Sequence, residues 1–459
     1  MADVETQLDA FLEQHLDLYI QEVSELCAQP SISARKEGTL ECAELVSQIL
    51  ERHGLQVQKF ETPGNPVLVG KAKGNSERTL LFYNHYDVQP PEPLALWTTP
   101  PFTPTVRDGA LYARGAMDDK GQFIARLMAL ESVRHAHGGN LPCNVTFIVE
   151  GEEEIGSPHI AQFVRDHTDL LASQAAIWEE GGTDPEGYPT TTLGCRGILY
   201  VELAAQTLKL DAHSGGAHHL PNAAWRLVQA LTSLRSEEGK VTIAGFYDDA
   251  QPPSAADLAL FDALSNTEEW LREMYAVKEF VGNLTGDDFK RAVFNPTCNI
   301  AGLTAGHQGE GMKTVIPSRA TAKVDFRLVP GQDPDDIFAK LRTHLDQQGF
   351  RDVSITRLGA MWPYKALAED PFVQLAERSA EAVYGRPYRI APLAGGSTPI
   401  YAFARPLGGI PVISAGVGNS NNRAHSPDEY VRLDDFLKGA RHIARILNGF
   451  ANLPETKHA

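Results

Sequence analysis

The spacing of apolar residues separates the chain into helical and strand-like regions. Near the N-terminus, apolar side chains such as Leu8 and Leu12 recur every three or four residues, which predicts an amphipathic helix over about 5–28. A second helix is predicted over about 39–53, ending before Gly54, because glycine commonly follows a helix. The pattern then changes to short apolar runs separated by Gly, Pro and Asn, which predict the strands VQKF, VLVGKAK and TLLFYNHYDV.

Strands and helices then alternate along the chain. A helix predicted over 120–137 is followed by the strand NVTFIVEG, a helix after Ser157 and the strand AAIWEE. Towards the C-terminus, the helix DPFVQLAERSAEAVYG, the strand IPVISAGVG and the helix DDFLKGARHIARILNGF repeat this order. Alternation of this kind is typical of an α/β domain with a mostly parallel sheet and flanking helices.

A different pattern interrupts this alternation from about residue 198. The run GILYVELAAQTLKL is long and alternates in part between apolar and polar residues, as expected for an antiparallel strand with one covered face. It precedes the helix NAAWRLVQALTSLRSEE, a long helix in DLALFDALSNTEEWLREMYAVKEF, and the strands RATAKVDFRLV and VSITRLGA on either side of the helix DPDDIFAKLRTHLDQQG. We therefore predict a discontinuous α/β domain, 1–198 and 366–459, with an inserted α+β domain, 199–365.

Composition and charge narrow the possible functions. The 459 residues are 42% hydrophobic and 22% charged, as in ordinary globular proteins. The 41 basic and 59 acidic side chains give a net charge of −18, which argues against nucleic acid as a partner. The absence of a long apolar run, of a signal-like N-terminus and of CxxC pairs predicts a cytoplasmic protein without a membrane span.

Histidines and carboxylates follow five of the predicted apolar runs, in the segments NHYDVQP, ARGAMDDKG, VEGEEEIGS, IWEEGG and GNSNNRAHSPDEY. Each has a structural explanation when taken singly, such as a surface loop, a helix cap or a solvated acidic turn. Together, they would meet at one edge of a parallel sheet, where ligands bind in such folds. A mixed set of imidazole and carboxylate ligands suits Zn²⁺, with Mn²⁺ or Co²⁺ as alternatives, and is large enough for two-metal hydrolysis.

These motifs, in this order, resemble those of the M20 family of dinuclear zinc metallopeptidases and amidohydrolases. The inserted region adds LGCRGILY, DAHSGGAHH and KTVIPSRATAKVDFRLVPG, so that the resemblance covers nearly the whole chain. Among the branches of this family, the sequence is most similar to the cytosolic nonspecific dipeptidases, which include the carnosinase-like enzymes. The resemblance implies a zinc-dependent exopeptidase-like catalytic domain and an inserted lid and dimerisation domain.

The resemblance also implies the ligands of two divalent metal ions. His85 and Glu179 would bind one ion, Glu154 and His425 would bind the other, and Asp118 would bridge the two. The peptide bond between Asp118 and its successor is expected to be cis. For the fourth motif, Glu179 is preferred as the ligand, and the adjacent Glu180 remains the alternative.

Two further residues of these motifs receive catalytic roles from the resemblance. Glu153 would be the general base that takes a proton from a water held between the metals and passes it to the leaving amine. This assignment uses the family pattern Glu-Glu-x-Gly-Ser to choose among Glu152, Glu153 and Glu154. Asp87 would support His85.

The inserted region contributes candidates for substrate binding. His213 matches the family histidine that enters the active site of the partner subunit of a homodimer and stabilises the developing oxyanion. Arg327 and Thr314 resemble the groups that hold the substrate's C-terminal carboxylate, for which a bidentate Arg is well suited. Gly396 and Ser397 resemble a further substrate-contact loop.

The sequence thus predicts metal-dependent hydrolysis of dipeptides or short peptides with a free C-terminal carboxylate. The nearest alternative is an N-acyl amino acid deacylase of acetylornithine deacetylase or succinyl-diaminopimelate desuccinylase type. A catalytically inactive metal-binding scaffold is a third hypothesis, and the presence of Glu153 argues against it.

Overall fold

The computed structural model describes residues 3–454, which form two compact units. The first unit comprises the described residues within Met1–Leu193, Ala366–Ala391 and Ala402–Ala459. The second comprises Gly194–Lys365 and Pro392–Tyr401, and its short second segment carries Gly396 and Ser397.

The α-helices of the described residues are α1 Val4–Ala28, α2 Thr39–Arg52, α3 Lys120–Ala136, α4 Ile160–Asp166, α5 Thr168–Leu171, α6 Ala223–Thr232, α7 Ala255–Leu260, α8 Glu268–Tyr275, α9 Gly286–Arg291, α10 Pro334–Gln347, α11 Pro371–Tyr384, α12 Ile400–Ala404 and α13 Leu433–Phe450. The strands are β1 Gln56–Phe60, β2 Val67–Ala72, β3 Thr79–His85, β4 Thr105–Arg107, β5 Ala110–Tyr112, β6 Asn144–Glu150, β7 Ala175–Trp178, β8 Gly182–Thr183, β9 Pro189–Thr192, β10 Gly194–Cys195, β11 Gly197–Gln206, β12 Ala212–His213, β13 Thr297–Ala305, β14 Val315–Ile316, β15 Arg319–Leu328, β16 Ser354–Met361, β17 Tyr364–Lys365, β18 Arg389–Ala391, β19 Val412–Ser414, β20 Gly418–Asn419 and β21 Tyr430–Arg432.

A six-stranded sheet organises the first unit, in the order β1-β2-β6-β3-β7-β19. The strands from β6 to β19 pair in parallel, whereas β1 and β2 are antiparallel. Parallel strands are buried on both faces, which explains why β3 and β6 are rich in apolar residues and almost wholly inaccessible. Helices α1, α3 and α13 pack together in this unit. This arrangement confirms the predicted α/β class.

A four-stranded antiparallel sheet, β13-β15-β11-β16, organises the second unit. Strands β11 and β15 alternate between buried and half-exposed residues, and helices α6 and α10 pack on the buried side chains. The edge strand β13 was not predicted, because most of its side chains are exposed and no apolar period marks it. The second unit is thus an α+β domain, as predicted.

The single long helix predicted in the insertion is wrong. The segment forms two short helices, α7 and α8, which are separated by residues 261–267. The side chain of Asn266 accepts a hydrogen bond from the backbone N–H of Glu268, and this contact favours a new helix start over a continuous helix. Within residues 3–454, no helix is both long enough and apolar enough to cross a membrane.

Candidate metal centre

The carboxyl ends of three neighbouring strands converge at one edge of the large sheet. His85 is the last residue of β3 and pairs with Glu150 at the end of β6, and Glu179 follows β7 directly. The parallel register of β3 with both neighbours places these ends side by side. The apolar runs of the sequence therefore deliver polar side chains to the edge at which α/β sheets bind ligands.

His85 is buried, and contacts at both of its ring nitrogens fix the orientation of the imidazole. Its Nδ1 lies 3.0 Å from the backbone oxygen of Asp87, so that Nε2 faces Asp118 Oδ1 at 3.0 Å. Burial alone would lower the pKa of His85, but the hydrogen bonds with Asp118 and Asp87 hold it well above its usual value. A backbone acceptor at Nδ1 is the usual way in which proteins orient a metal-binding imidazole.

Asp118 lies between the two predicted histidine ligands. Its Oδ1 contacts His85, and its Oδ2 lies 2.8 Å from His425 Nε2. Burial would raise the pKa of Asp118, but the hydrogen bonds from His425 and His85 lower it. The peptide bond from Asp118 to Asp119 is cis, as the resemblance implies.

Glu154 completes the cluster on the His425 side. Its Oε2 lies 3.1 Å from His425 Nε2, and one ligand atom from each of Asp118, Glu154 and His425 lies within 4.8 Å of the others. Asp87 holds this turn, because its carboxylate accepts hydrogen bonds from the backbone N–H groups of Glu153 and Glu154 at 3.2 and 3.1 Å. Asp87 therefore supports the acidic turn as well as lying beside His85.

Glu153 lies next to this cluster and is partly exposed. Burial raises the pKa of its carboxyl to about 7; His85 opposes the shift, and Glu154 adds to it. A carboxyl poised near neutral pH is well matched to general-base chemistry.

Glu179 is the acidic residue that approaches His85 from β7. Its Oε1 accepts a hydrogen bond from Trp178 Nε1 at 3.0 Å, whereas its buried Oε2 makes no hydrogen bond and lies 3.9 Å from His85 Nε2. Burial, and then the Glu153 carboxylate, raise the pKa of Glu179 well above its usual value. Such a buried oxygen is costly unless a cation accompanies it, so the residues fit a metal site.

Glu180, the alternative ligand, lines an open cavity of the first unit and is exposed. Partial burial of the Glu180 carboxyl by the cavity wall, followed by the negative charges of Asp118 and Asp119, raises its pKa to about 7. Of these two described carboxylates, only that of Glu179 lies within 4.0 Å of an imidazole nitrogen, Nε2 of His85.

Two buried hydrogen-bond networks that hold the strand ends and loops of the cluster were not identified from the sequence. Arg126 of α3 is fully buried and donates to the backbone oxygens of Tyr83 and Trp178, which precede His85 and Glu179. It also donates to Asn84 Oδ1 at 2.9 Å. One arginine thus ties together the ends of β3 and β7.

Glu429 is the centre of the second network. Its Oε2 accepts from Arg114 Nη1 at 2.7 Å and from the backbone N–H of Gly115 at 3.0 Å. Its Oε1 accepts from the backbone N–H groups of Met117 and Asp118, both at 3.0 Å. Burial raises the pKa of Glu429, and Arg114 opposes that shift. The network joins the loop that carries Asp118 to the loop that carries His425.

The candidates of the second unit form two separate contacts. His213 is exposed; its Nδ1 accepts from the backbone N–H of Gly215 at 3.0 Å, and its Nε2 lies 3.1 Å from Thr314 Oγ1. Arg327 Nη1 donates to Ser397 Oγ at 2.8 Å. The carbonyl oxygen of Gly396 accepts from the backbone N–H of Arg196 at 3.0 Å, which holds the same loop.

Comparisons with known proteins give a family match over most of the chain. The sequence pattern of peptidase family M20/M25/M40 matches residues 81–449. The chain is 26% identical to the Beta-Ala-His dipeptidase of Mus musculus, over 95% of this chain and 93% of that protein. It is also 26% identical to the Cys-Gly metallodipeptidase dug1 of Schizosaccharomyces pombe, over 96% and 97% of the two chains.

A solved structure extends the likeness to the fold. The M20 family metallo-carboxypeptidase Sso-CP2 of Sulfolobus solfataricus superposes with a TM-score of 0.85 at 35% sequence identity, covering 95% of this chain and 99% of that chain.

Proposed function

Because the chain belongs to peptidase family M20/M25/M40 and is thus a hydrolase, we propose that it cleaves the peptide bond of dipeptides or short peptides with a free C-terminal carboxylate. Two of the relatives described above are dipeptidases, and the structural relative is a carboxypeptidase. Both kinds of enzyme act beside a free C-terminal carboxylate. The observation that carries the proposal is the Asp118 carboxylate in contact with both His85 and His425, flanked by Glu154 and Glu179.

The proposal includes two divalent metal ions, with Zn²⁺ as the first candidate. His85 and Glu179 would hold one, Glu154 and His425 the other, and Asp118 both. The carboxylates that stabilise the protonated imidazoles would equally stabilise divalent cations, and metal binding requires these imidazoles to be neutral. When bound, the ions supply Lewis-acid polarisation of the scissile carbonyl and acidify the attacking water.

Glu153 acts as the general base in this proposal. Its carboxylate takes a proton from the attacking water at the start of the reaction and delivers it to the nitrogen of the leaving amine. Asp87 keeps Glu153 in place through the backbone N–H contact at 3.2 Å. Arg126 and Glu429 act as positioning residues for the candidate ligands.

His213 stabilises the oxyanion, and its tautomer follows from its contacts. Because Nδ1 accepts the Gly215 N–H, the proton of the neutral ring resides on Nε2. The Nε2–H then donates to Thr314 Oγ1 at rest, and to the substrate carbonyl oxygen as negative charge develops there. We propose that His213 serves the active site of the partner subunit of a homodimer.

Arg327 binds the substrate's C-terminal carboxylate, with Ser397, Thr314 and the loop at Gly396 as further contacts. Its guanidinium is oriented by Ser397 Oγ and retains donors for a carboxylate. We also propose a cytoplasmic location, which the five free cysteines support.

A substrate panel tests this proposal. Dipeptides are compared with N-acetyl and N-succinyl amino acids, using enzyme supplied in turn with Zn²⁺, Mn²⁺ and Co²⁺. We expect turnover of dipeptides with at least one of these metals. Turnover of only the acylated amino acids would establish a deacylase instead, and no turnover of either class would favour an inactive scaffold.

A further inference from the structure

A cavity of about 430 Å³ opens in the first unit beside the candidate metal centre. Its wall is built from the residues that follow β7, from strands β8, β9 and β20, from the last residues of β18 and β19, and from the loop after β20. Three of its lining residues are close in sequence to candidate ligands: Met117 precedes Asp118, Glu180 follows Glu179, and Asn422 lies in the loop of His425. The cavity thus adjoins the region in which the scissile bond would lie.

The walls of this cavity are small and mostly neutral. Threonines 190–192 contribute methyl and hydroxyl groups, and Asn419 and Asn422 contribute amides. Among the described lining residues, Glu180 is the single charged one. The volume is sufficient for one amino-acid side chain and its backbone, but not for a long peptide.

Among the residues that the structure describes, the Glu180 carboxylate has no ion-pair partner. Within residues 3–454, no Lys, Arg or His nitrogen lies within 4.0 Å of it, and no group donates a hydrogen bond to it. Its charged neighbours are the acidic residues of the metal centre, Asp118, Asp119 and Glu153, together with His85. An unpaired carboxylate that faces a neutral cavity is a site at which a cationic group of a ligand is stabilised.

The backbone at Glu180 is also unusual. Glu180 has a φ of 64°, in the left-handed region that residues with a side chain seldom adopt, and Gly181 follows with a φ of 113°. This turn separates the carboxylate of Glu180, in the cavity, from that of Glu179, which is buried beside His85. Such outliers concentrate at sites where a side chain must be aimed at a ligand.

We infer that Glu180 is a specificity-determining residue, which binds the free α-ammonium group of the substrate's N-terminal residue while the cavity holds that residue's side chain. The inference rests on the proposed peptide hydrolysis and deepens it by naming the substrate class. It selects unblocked dipeptides over N-acyl amino acids, which have no ammonium group. The α-ammonium is the cation common to all unblocked dipeptides, and it is attached one carbon away from the scissile carbonyl.

A pair of matched substrates tests the inference. Alanyl-alanine and N-propionyl-alanine differ only in the ammonium group, and both are assayed with metal-loaded wild type, Glu180→Gln and the control Glu77→Gln. Glu77 is exposed and lies outside the cavity and the metal centre. Metal content is measured on every variant, because loss of metal would identify Glu180 as a ligand.

We expect wild type to prefer alanyl-alanine. Glu180→Gln should lower kcat/KM for alanyl-alanine by about 10- to 100-fold, the usual effect of losing a charged hydrogen-bond partner. The variant should leave kcat/KM for N-propionyl-alanine within about 3-fold and the metal content unchanged, since the contact involves only the ammonium. Glu77→Gln should match wild type on both substrates.

Several results would overturn the inference. Equal losses on both substrates, an unchanged kcat/KM for alanyl-alanine, or metal loss would each contradict a role in ammonium binding. Efficient wild-type turnover of N-propionyl-alanine, with little of alanyl-alanine, would refute it while leaving amide hydrolysis intact. Turnover of neither substrate would refute the proposed function itself, and the inference with it.

Discussion

Replacing Glu429 by Ala should destabilise the protein strongly, although Glu429 is not among the candidate ligands. The carboxylate is buried and accepts four hydrogen bonds, one from the buried guanidinium of Arg114 and three from backbone N–H groups. Glu429→Ala would leave a buried charge without its partner, which typically costs about 3–5 kcal/mol. The three orphaned N–H groups add to this cost, by up to about 1–3 kcal/mol each where water does not reach them.

Such a loss is a large part of the free energy of unfolding, which for native proteins is about 5–15 kcal/mol. Urea denaturation followed by far-UV circular dichroism would measure it. The matched control is Asp434→Ala, which breaks the exposed ion pair of Arg432 and Asp434 at 3.2 Å and should cost less than about 1 kcal/mol.

A double variant separates the two contributions. Arg114→Met combined with Glu429→Leu removes both charges and leaves only the backbone groups unpaired, so it should be more stable than Glu429→Ala. A loss of stability in Glu429→Ala no larger than that in Asp434→Ala, or a double variant less stable than Glu429→Ala, would contradict this prediction.

Three further predictions concern catalysis and pH. Glu153→Gln should lower kcat by about 10²- to 10⁴-fold while metal content by atomic absorption stays at the wild-type value; an unchanged kcat would exclude Glu153 as the base. Mixed dimers of His213→Ala and Glu153→Gln subunits should regain activity in steady-state assays, because one site then has both groups; the absence of rescue would contradict donation of His213 between subunits. Burial lowers the pKa of His442 from 6.5 to about 4, so the unfolded state takes up the proton first as the pH falls. The contribution of neutral His442 to the free energy of unfolding is therefore complete above pH 6.5 and falls by about 3 kcal/mol towards pH 4, which urea titrations across this pH range would measure. His442→Leu should remove this pH dependence.

The sheet and its polar edge could be predicted because local sequence determines them. The apolar runs before His85 and Glu179 form buried parallel strands, and their ends meet wherever such strands pair. The contact of Asp118 with both histidines was expected only from the family resemblance. The roles of these residues in catalysis stay predictions until they are tested.

The supporting network could not be predicted, because its partners are far apart in the chain. Glu429 contacts Arg114 and Asp118 across more than 300 residues, and in the sequence it is one more acidic residue in a polar loop. Arg126 likewise has the spacing of an ordinary helix residue, and only the packing of α3 against the sheet shows that it is buried. Strand β13 was missed because exposed residues dominate it, so that pairing with β15, and not an apolar pattern, defines it.

The most direct test of the central claim is the hydrolysis of an unblocked dipeptide by metal-free enzyme before and after Zn²⁺ is restored. We predict no turnover after dialysis against a chelator, recovery of turnover with Zn²⁺, and metal binding without comparable turnover in Glu153→Gln. Dipeptide hydrolysis that persists at full rate in the metal-free enzyme would contradict it.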